Sequence, residues 1–299
     1  MPAFDTPEPI TATIHVEYGC ARITAADRSD TIVEVRPTCD DNKADVRAAE
    51  QTQVEYAAGK LLVKTPKGSA LKMGLPGSVD VAVALPHGSR LIGHLEMGDL
   101  SCEGSMGACD VRTSAGDIRL DQVGAVQLRT QHGNITVDRA AGACEFTTGS
   151  GEVRVREVDG AAEVKNANGN TWIDEITGEL RLKVANGNVS VGRAHASVFS
   201  KSANGSTRIE EVTRGTVDLQ GKFGDLEIGI GEGSATWLDL KSRSGRVYNT
   251  LGAADGPGES TETVEVHAAT GIGDITIRRA QGSWPEQIRA PHINDRDEA

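Results

Sequence analysis

The chain has 299 residues, a formal net charge of −12 and only 3% aromatic residues. The acidity argues against general nucleic-acid binding and against adsorption to anionic membranes, because both require concentrated Lys and Arg. No apolar run is long enough to span a bilayer, and the N-terminus lacks the basic and apolar regions of a secretory signal, so we expect a cytoplasmic protein.

The first 95 residues have strand patterns without a regular spacing. Gly19 to Ile23 resembles the opening of the repeat found further along the chain, so this region forms either a cap or the first coils of that repeat. The polar, Ala-rich segment 41–50 predicts a short helix, and 66–76 predicts a loop. Alternating apolar residues predict strands at 10–16, 31–36, 53–56, 60–65, 78–85 and 90–95.

A repeat of about 18 residues follows. Each repeat opens with a glycine, a short polar residue and an apolar-x-apolar stretch, and a second small residue divides it in half. Strict alternation of apolar residues after both positions predicts two short strands per repeat. The spacing lengthens to 21 and then 28 residues at the last two of the recurring glycines, which are Gly98, Gly116, Gly133, Gly151, Gly169, Gly187, Gly205, Gly224, Gly245 and Gly273.

The repeat predicts the fold. A single coil cannot bury its apolar face, whereas stacked coils join these faces into a continuous core. We therefore expect an all-β, right-handed parallel β-solenoid of about 18-residue coils, with two short strands per coil and an irregular N-terminal β cap. The expected segments are the N-terminal β-rich region 1–95, the solenoid repeats 96–280, and a flexible tail 281–299 in which Trp284 covers the last coil.

Ala-Asn-Gly tripeptides mark one corner of the predicted coils, at 167–169, 185–187 and 203–205. Asn tolerates the left-handed backbone of tight turns. Stacked Asn side chains also hydrogen-bond along a ladder. We interpret the tripeptides as turn chemistry and not as a binding motif.

Outward positions of successive coils predict two rows on one face. Ion pairs between a mostly acidic row and a mostly basic row would offset the repulsion within each row. We take Arg129, Lys165, Lys183 and Lys201, together with Trp172 on the other face, as the candidate interaction surface. The acidic row contains Asp110, Gln127, Glu145, Glu163, Arg181, Phe199, Asp218 and Asp239. The basic row contains Arg112, Arg129, Thr147, Lys165, Lys183, Lys201, Gln220 and Lys241. The row on the other face ends with Glu227 and Tyr248.

Motifs of catalysis are missing from the sequence. It contains no HExxH, Walker A loop, GxSxG or strand-linked GxGxxG, and its histidines do not cluster, so we predict no catalytic, cofactor or metal site. Cys109 and Cys144 occupy inward positions and are expected to be small core residues. The role of Cys102 is left open, as is that of the Gly- and Pro-containing loop 249–263.

The ordered motifs resemble a known family. The opening FDTPEPI, the segment LPHGS at 85–89, and the run SAGDI, GNITVDR, GSGEVRV, VKNANGN, VANGNVSV and FGDLEIGI carry the likeness. They are similar to the actinobacterial β-strand-repeat proteins of the putative adhesin (domain of unknown function) family. The resemblance covers about residues 4–280 and implies a right-handed β-solenoid. It implies no catalytic or binding residue.

These observations predict a non-enzymatic scaffold, or a protein-binding or self-assembly module, which uses the long face or the ends of the solenoid and whose partner is another protein or a second copy. The alternative is an adhesin-like surface protein or carbohydrate-binding protein, in which Trp172 stacks on a sugar ring. A solenoid enzyme is a third hypothesis, and it requires a concave pocket with converging titratable groups.

Overall fold

The computed structural model describes residues 2–67, 77–251 and 262–280, which form 27 strands and one helix. The predicted tail 281–299 with Trp284, and most of the predicted loops 66–76 and 249–263, lie outside the described residues. The chain divides into two compact units, Met1–Val137 (unit 1) and Asp138–Ala299 (unit 2). The segment boundaries expected at residues 95 and 280 stay predictions.

The strands follow the alternation of the sequence throughout. Unit 1 contains one helix among its described residues, α1 (Lys43–Glu50), and the strands β1 (Ala3–Asp5), β2 (Thr11–Tyr18), β3 (Ala21–Ala26), β4 (Asp30–Pro37), β5 (Gln53–Ala57), β6 (Lys60–Lys64), β7 (Val79–Pro86), β8 (Arg90–Met97), β9 (Leu100–Ser105), β10 (Cys109–Ala115), β11 (Ile118–Val123) and β12 (Val126–His132). Strand β13 (Ile135–Ala141) contains the boundary between the units.

Unit 2 consists of strands only among its described residues. Its strands are β14 (Cys144–Ser150), β15 (Val153–Asp159), β16 (Ala162–Asn168), β17 (Thr171–Ile176), β18 (Leu180–Asn186), β19 (Val189–Ala194), β20 (Val198–Asn204), β21 (Thr207–Val212), β22 (Gly215–Phe223), β23 (Leu226–Ile230), β24 (Ser234–Ser244), β25 (Val247–Asn249), β26 (Glu262–Ile272) and β27 (Ile275–Arg279).

The first strands of unit 1 combine a coil of the repeat with antiparallel strands. Strand β2 pairs in parallel with β8, which is followed by β10 and β12, while β3 pairs in parallel with β9, which is followed by β11. Strands β1 and β5 end their sheets and pair antiparallel with β4 and β6. Phe4 on β1 contacts Tyr56 on β5 with ring centroids 5.2 Å apart. The six predicted strands and the helix of this region are confirmed.

Two sheets of parallel strands form unit 2. One has the order β15-β17-β19-β21-β23-β27-β25, and the other has the order β14-β16-β18-β20-β22-β26-β24. Inward Val, Ile and Leu side chains of both sheets are buried, among them Val164, Leu182, Ile173 and Val191. The predicted all-β solenoid with two strands per coil is confirmed, while its right-handedness stays a prediction.

The order of the last coils differs from the sequence prediction. Strand β26 lies between β22 and β24, and β27 lies between β23 and β25. His267 and Ala269 therefore follow Asp218 and Gln220 in the two rows. The expected positions of Asp239 and Lys241 directly after those residues are wrong, and so is that of Tyr248 after Glu227, because Thr276 intervenes.

Burial explains this order. The inward residues of the inserted strands, such as Val264, Val266, Ile275 and Ile277, are strongly apolar and completely buried. Strand neighbours on both sides keep these residues from water. The inward rows of β24 and β25 are less apolar, since they include Ser242 and Asn249, and they occupy the last position in each sheet.

Glycine is required at the repeating corner. Gly187 has φ +139°, and a Cβ atom at this position would lie 2.1 Å from the Gly169 carbonyl oxygen of the neighbouring coil. The predicted Asn ladder stands beside it. Asn186 Nδ2 donates to Asn168 Oδ1 at 2.8 Å, and Asn204 Nδ2 donates to Asn186 Oδ1 at 2.7 Å. The interpretation of these tripeptides as turn chemistry is confirmed.

A buried polar row lines the same corner from inside. Thr130 Oγ1 donates to the Gly116 carbonyl in unit 1. In unit 2, Asn166 Nδ2 lies within hydrogen-bond distance of the Gly151 and Gly169 carbonyls. The tight turn directs these carbonyl groups toward the core, and the side chains donate hydrogen bonds to them. Without such a donor, a buried carbonyl oxygen would destabilise the fold. The sequence analysis did not identify this row.

Candidate functional site

The basic row of unit 2 is paired with acids. Lys165, Lys183 and Lys201 occupy matched positions on β16, β18 and β20. Lys165 Nζ lies 3.4 Å from Glu145 Oε1 and 3.2 Å from Glu163 Oε1, and Lys183 Nζ lies 3.2 Å from Glu163 Oε1. Hydrogen bonds from Lys183 and Lys165 lower the pKa of the Glu163 carboxyl. The expected pairing between the rows is confirmed here, and it reduces the local charge available to a partner.

The basic row of unit 1 is longer than the sequence predicted. Arg129 on β12 is in register with Arg112, which is in register with His94 and then with His15 on β2. The His15 and His94 rings stack with centroids 4.8 Å apart. Burial lowers the pKa of His15, and the positive potential of His94 and Lys64 lowers it further. The contact between the two histidines was not predicted, because β2 precedes the regular repeats and its register could not be read from their spacing.

Trp172 is half-buried and not exposed, contrary to the prediction. The Arg154 guanidinium lies 4.8 Å from the centroid of its ring, in a cation–π contact. Arg154 also pairs with Glu152. Arg154 therefore covers one face of the Trp172 ring.

The last strands of unit 2 have a free edge, which we define as the sides of β24 and β25 that face away from β26 and β27. No strand among the described residues pairs with this edge. Leu238 and Leu240 point inward but are only half-buried, although Val266 and Ala268, their register partners on β26, are buried. Val247 on β25 is 46% exposed beside the buried Ile275.

Backbone groups also face this edge. In unit 2 an inward residue donates its N–H to the next strand of its sheet, as Ala162 donates to the Glu179 carbonyl and Leu180 to the Ser197 carbonyl. The same alternation directs the N–H and C=O of Leu238 and Leu240 away from β26. The edge thus combines apolar side chains with backbone groups that a further strand can bond.

A cavity of about 670 Å³ lies beside β24. Trp237, which is 73% exposed, forms part of its wall. Arg214 Nη1 lies 3.8 Å from Glu262 Oε1 across the same cavity, which Thr216 and Glu265 also line. The sequence analysis missed Trp237, although its outward position in the alternation of β24 could have identified it.

A second cavity, of about 420 Å³, lies in unit 1. It collects the exposed Cys20 and several charged residues. Glu34 pairs with Arg36, and Asp117 Oδ2 lies 3.2 Å from Arg119 Nη2. None of the described residues that line it is a histidine.

The buried thiols behave as apolar groups. Burial raises the pKa of Cys109 and of Cys144 to about 12. Burial also raises the pKa of Cys102, and the proximity of Cys109 adds to the effect. All three therefore remain protonated near neutral pH, which confirms the expectation for Cys109 and Cys144.

Metal-ligand clusters and membrane-spanning helices are absent from residues 2–67, 77–251 and 262–280. Within these ranges no cluster of three or more His, Cys, Asp or Glu side chains is arranged to hold a metal ion. The helix they contain is too short and polar to cross a membrane.

Comparison with known proteins identifies one family. The model of the Toastrack DUF4097 family matches residues 21–278. No curated protein matches the chain. Two solved structures of putative adhesins are similar to the chain. The one from Bacteroides fragilis has 10% identity, covers 92% of this chain and 95% of that chain, and has a TM-score of 0.39. The one from Parabacteroides merdae has 12% identity, covers 76% of this chain and 94% of that chain, and has a TM-score of 0.49. A third, from Parabacteroides distasonis, has 10% identity, covers 92% and 95%, and has a TM-score of 0.33.

Proposed function

Because the chain belongs to the Toastrack DUF4097 family, a β-solenoid family without an assigned activity, we propose that it is a non-enzymatic scaffold that assembles through the free edge of β24 and β25. The candidate surface of the basic row stays a prediction, since Lys165 and Lys183 are paired within the chain. The cytoplasmic location and the actinobacterial origin also stay predictions.

The half-exposed inward row of β24 carries this proposal. Leu238 and Leu240 occupy core positions yet remain in contact with water, beside backbone groups that face the free edge. A strand added to this edge would bury the side chains and bond the backbone, which is the mode of recognition called β-strand addition. β24 carries the charged Asp239, Lys241 and Arg243 on its outward face, so a strand that pairs with this edge must present complementary charges.

The test uses Leu240→Pro. Proline at this position lacks the N–H that faces the free edge, so it is expected to block the addition of a strand. The N–H of residue 240 makes no hydrogen bond to β26, so the fold is expected to survive the substitution. Leu240→Ala shortens the same side chain and keeps the N–H. Light scattering across a range of concentrations should show self-association for the wild type, weaker self-association for Leu240→Ala, and a monomer for Leu240→Pro.

Two controls make the result decisive. Circular dichroism should show equal strand content in the three proteins, and negative-stain microscopy should show whether assemblies form. A wild-type protein that stays monomeric at every concentration would contradict the proposal. Equal association of wild type and Leu240→Pro would place the contact elsewhere.

Carbohydrate binding is a second candidate function, which the Trp237 cavity favours over Trp172. The uncovered Trp237 ring offers an apolar face for a sugar, and Arg214, Thr216 and Glu265 offer hydrogen bonds around it. Oligosaccharides that bind the wild type on a glycan array should lose at least tenfold in affinity for Trp237→Ala. Trp172→Phe should bind normally, and an array without hits would remove this candidate.

A further inference from the structure

We infer that the free edge of β24 binds the same edge of a second copy, antiparallel and about a two-fold axis at Leu240. The inference rests on the proposed function and names its partner and geometry. It arises from a self-complementary pattern of side chains along β24, which reads Trp237, Leu238, Asp239, Leu240, Lys241, Ser242 and Arg243.

The backbone fits a two-fold axis at this residue. In an antiparallel pair, residues whose N–H and C=O face the partner exchange both hydrogen bonds with the residue opposite. Leu240 faces the free edge by the alternation of the sheet, so it would bond Leu240 of the second copy in both directions. Leu238 would lie opposite Ser242 of the second copy, and the inward rows of the two copies would become continuous.

The outward side chains are complementary in the same register. Asp239 would lie opposite Lys241 of the second copy, and Trp237 opposite its Arg243. Both are non-hydrogen-bonded positions, at which side chains approach most closely. All four side chains are exposed in the single chain. The two-fold axis repeats each contact, which gives two ion pairs and two cation–π contacts.

Neighbouring registers lack this complementarity. An axis at Asp239 places that carboxylate opposite itself, and an axis at Lys241 does the same with the ammonium group. An axis at Ser242 sets Lys241 against Arg243, and an axis at Leu238 sets Asp239 against Trp237. Of the five centres from 238 to 242, Leu240 alone pairs opposite charges without placing like charges face to face.

The two-fold axis also limits the assembly. An interface that uses the same patch on both copies is closed, so it produces a dimer and leaves no second edge of this kind for growth. Burial of Leu238 and Leu240 in both copies supplies the apolar contribution. The inference therefore predicts dimers and not filaments.

Charge exchange tests the register. Lys241→Glu would set a carboxylate against Asp239 of the second copy twice, and Asp239→Lys would set two ammonium groups against each other. Each single variant is expected to raise the dimer Kd about tenfold. The double variant Asp239→Lys/Lys241→Glu restores opposite charges and should return the Kd to within about twofold of the wild type. Lys222→Glu, an exposed change of the same charge on β22, is the control.

Analytical ultracentrifugation of the full chain separates the outcomes. A dimer weakened by both single variants and restored by the double variant supports the inference. A dimer that the single variants leave unchanged, or a wild type that forms filaments, would overturn the two-fold register and leave the proposed scaffold function intact. A wild type that remains monomeric would overturn both.

Discussion

At the scale of single residues, the corner glycines are constrained twice. Gly187 combines φ +139° with a carbonyl oxygen 2.1 Å from the position of a Cβ atom. Gly187→Ala is therefore expected to lower the free energy of unfolding by about 3 kcal/mol, from the positive φ and from the steric conflict together. The midpoint of urea-induced unfolding, followed by circular dichroism, measures this loss.

A second glycine separates the two costs. Gly233 also has a positive φ, +77°, but nothing lies within 4 Å of the position of its Cβ atom. Gly233→Ala should therefore cost only about 1 kcal/mol. Equal losses for the two variants would show that the close stacking of the coils contributes nothing to the requirement for glycine at the corner.

Residues differ in how well the sequence predicts them. The backbone conformation of a tight turn restricts the residue types at the turn itself. The corner glycines and the ladder of Asn168, Asn186 and Asn204 could therefore be predicted. The half-burial of Trp172 depends on Arg154 from the preceding coil, and the role of Asn166 depends on carbonyls that only the folded corner brings to it. These contacts between coils leave no local signal in the sequence.

At the scale of elements, the positions of the strands in the sequence could be predicted, but their order in the two sheets could not. Period-two alternation located the strands, because each must bury one face. The same pattern does not say which coil neighbours which. A signal was present in the inward rows, since β26 has Val264 where β24 has Thr236, and β27 has Ile277 where β25 has Asn249.

A side-chain network supports the observed order. Arg278 on β27 donates from Nε to Glu227 Oε1 on β23 at 2.7 Å, and its Nη2 contacts Glu210 on β21. Arg208 also pairs with Glu210. Gly229 lies between these groups without a side chain, and Arg278 reaches across it. The network thus links β27 to two preceding strands, which fits its place inside the sheet.

At the scale of the whole molecule, the candidate site was the least predictable feature. Unit 1 ends its sheets with antiparallel strands and the contact between Phe4 and Tyr56. Unit 2 ends its sheets with parallel strands, on which Leu238 and Leu240 are half-buried and Val247 is exposed. A cap was foreseeable because solenoids need one. The ends of the solenoid could be named from the sequence as one place for contacts, but the free edge of β24 follows from the order of the last coils, so the residues named for interaction lay on the lateral rows.

Assembly through this edge predicts how heat stability depends on concentration. Association of folded chains stabilises them by mass action, by about 2.7 kcal/mol when the partner concentration is a hundred times Kd. The Tm of the wild type should therefore rise by a few degrees as the protein concentration increases a hundredfold through the Kd range. Leu240→Pro should have a lower Tm that does not change with concentration. Calorimetric scans of both proteins measure this, and a constant wild-type Tm would contradict assembly of the folded chain.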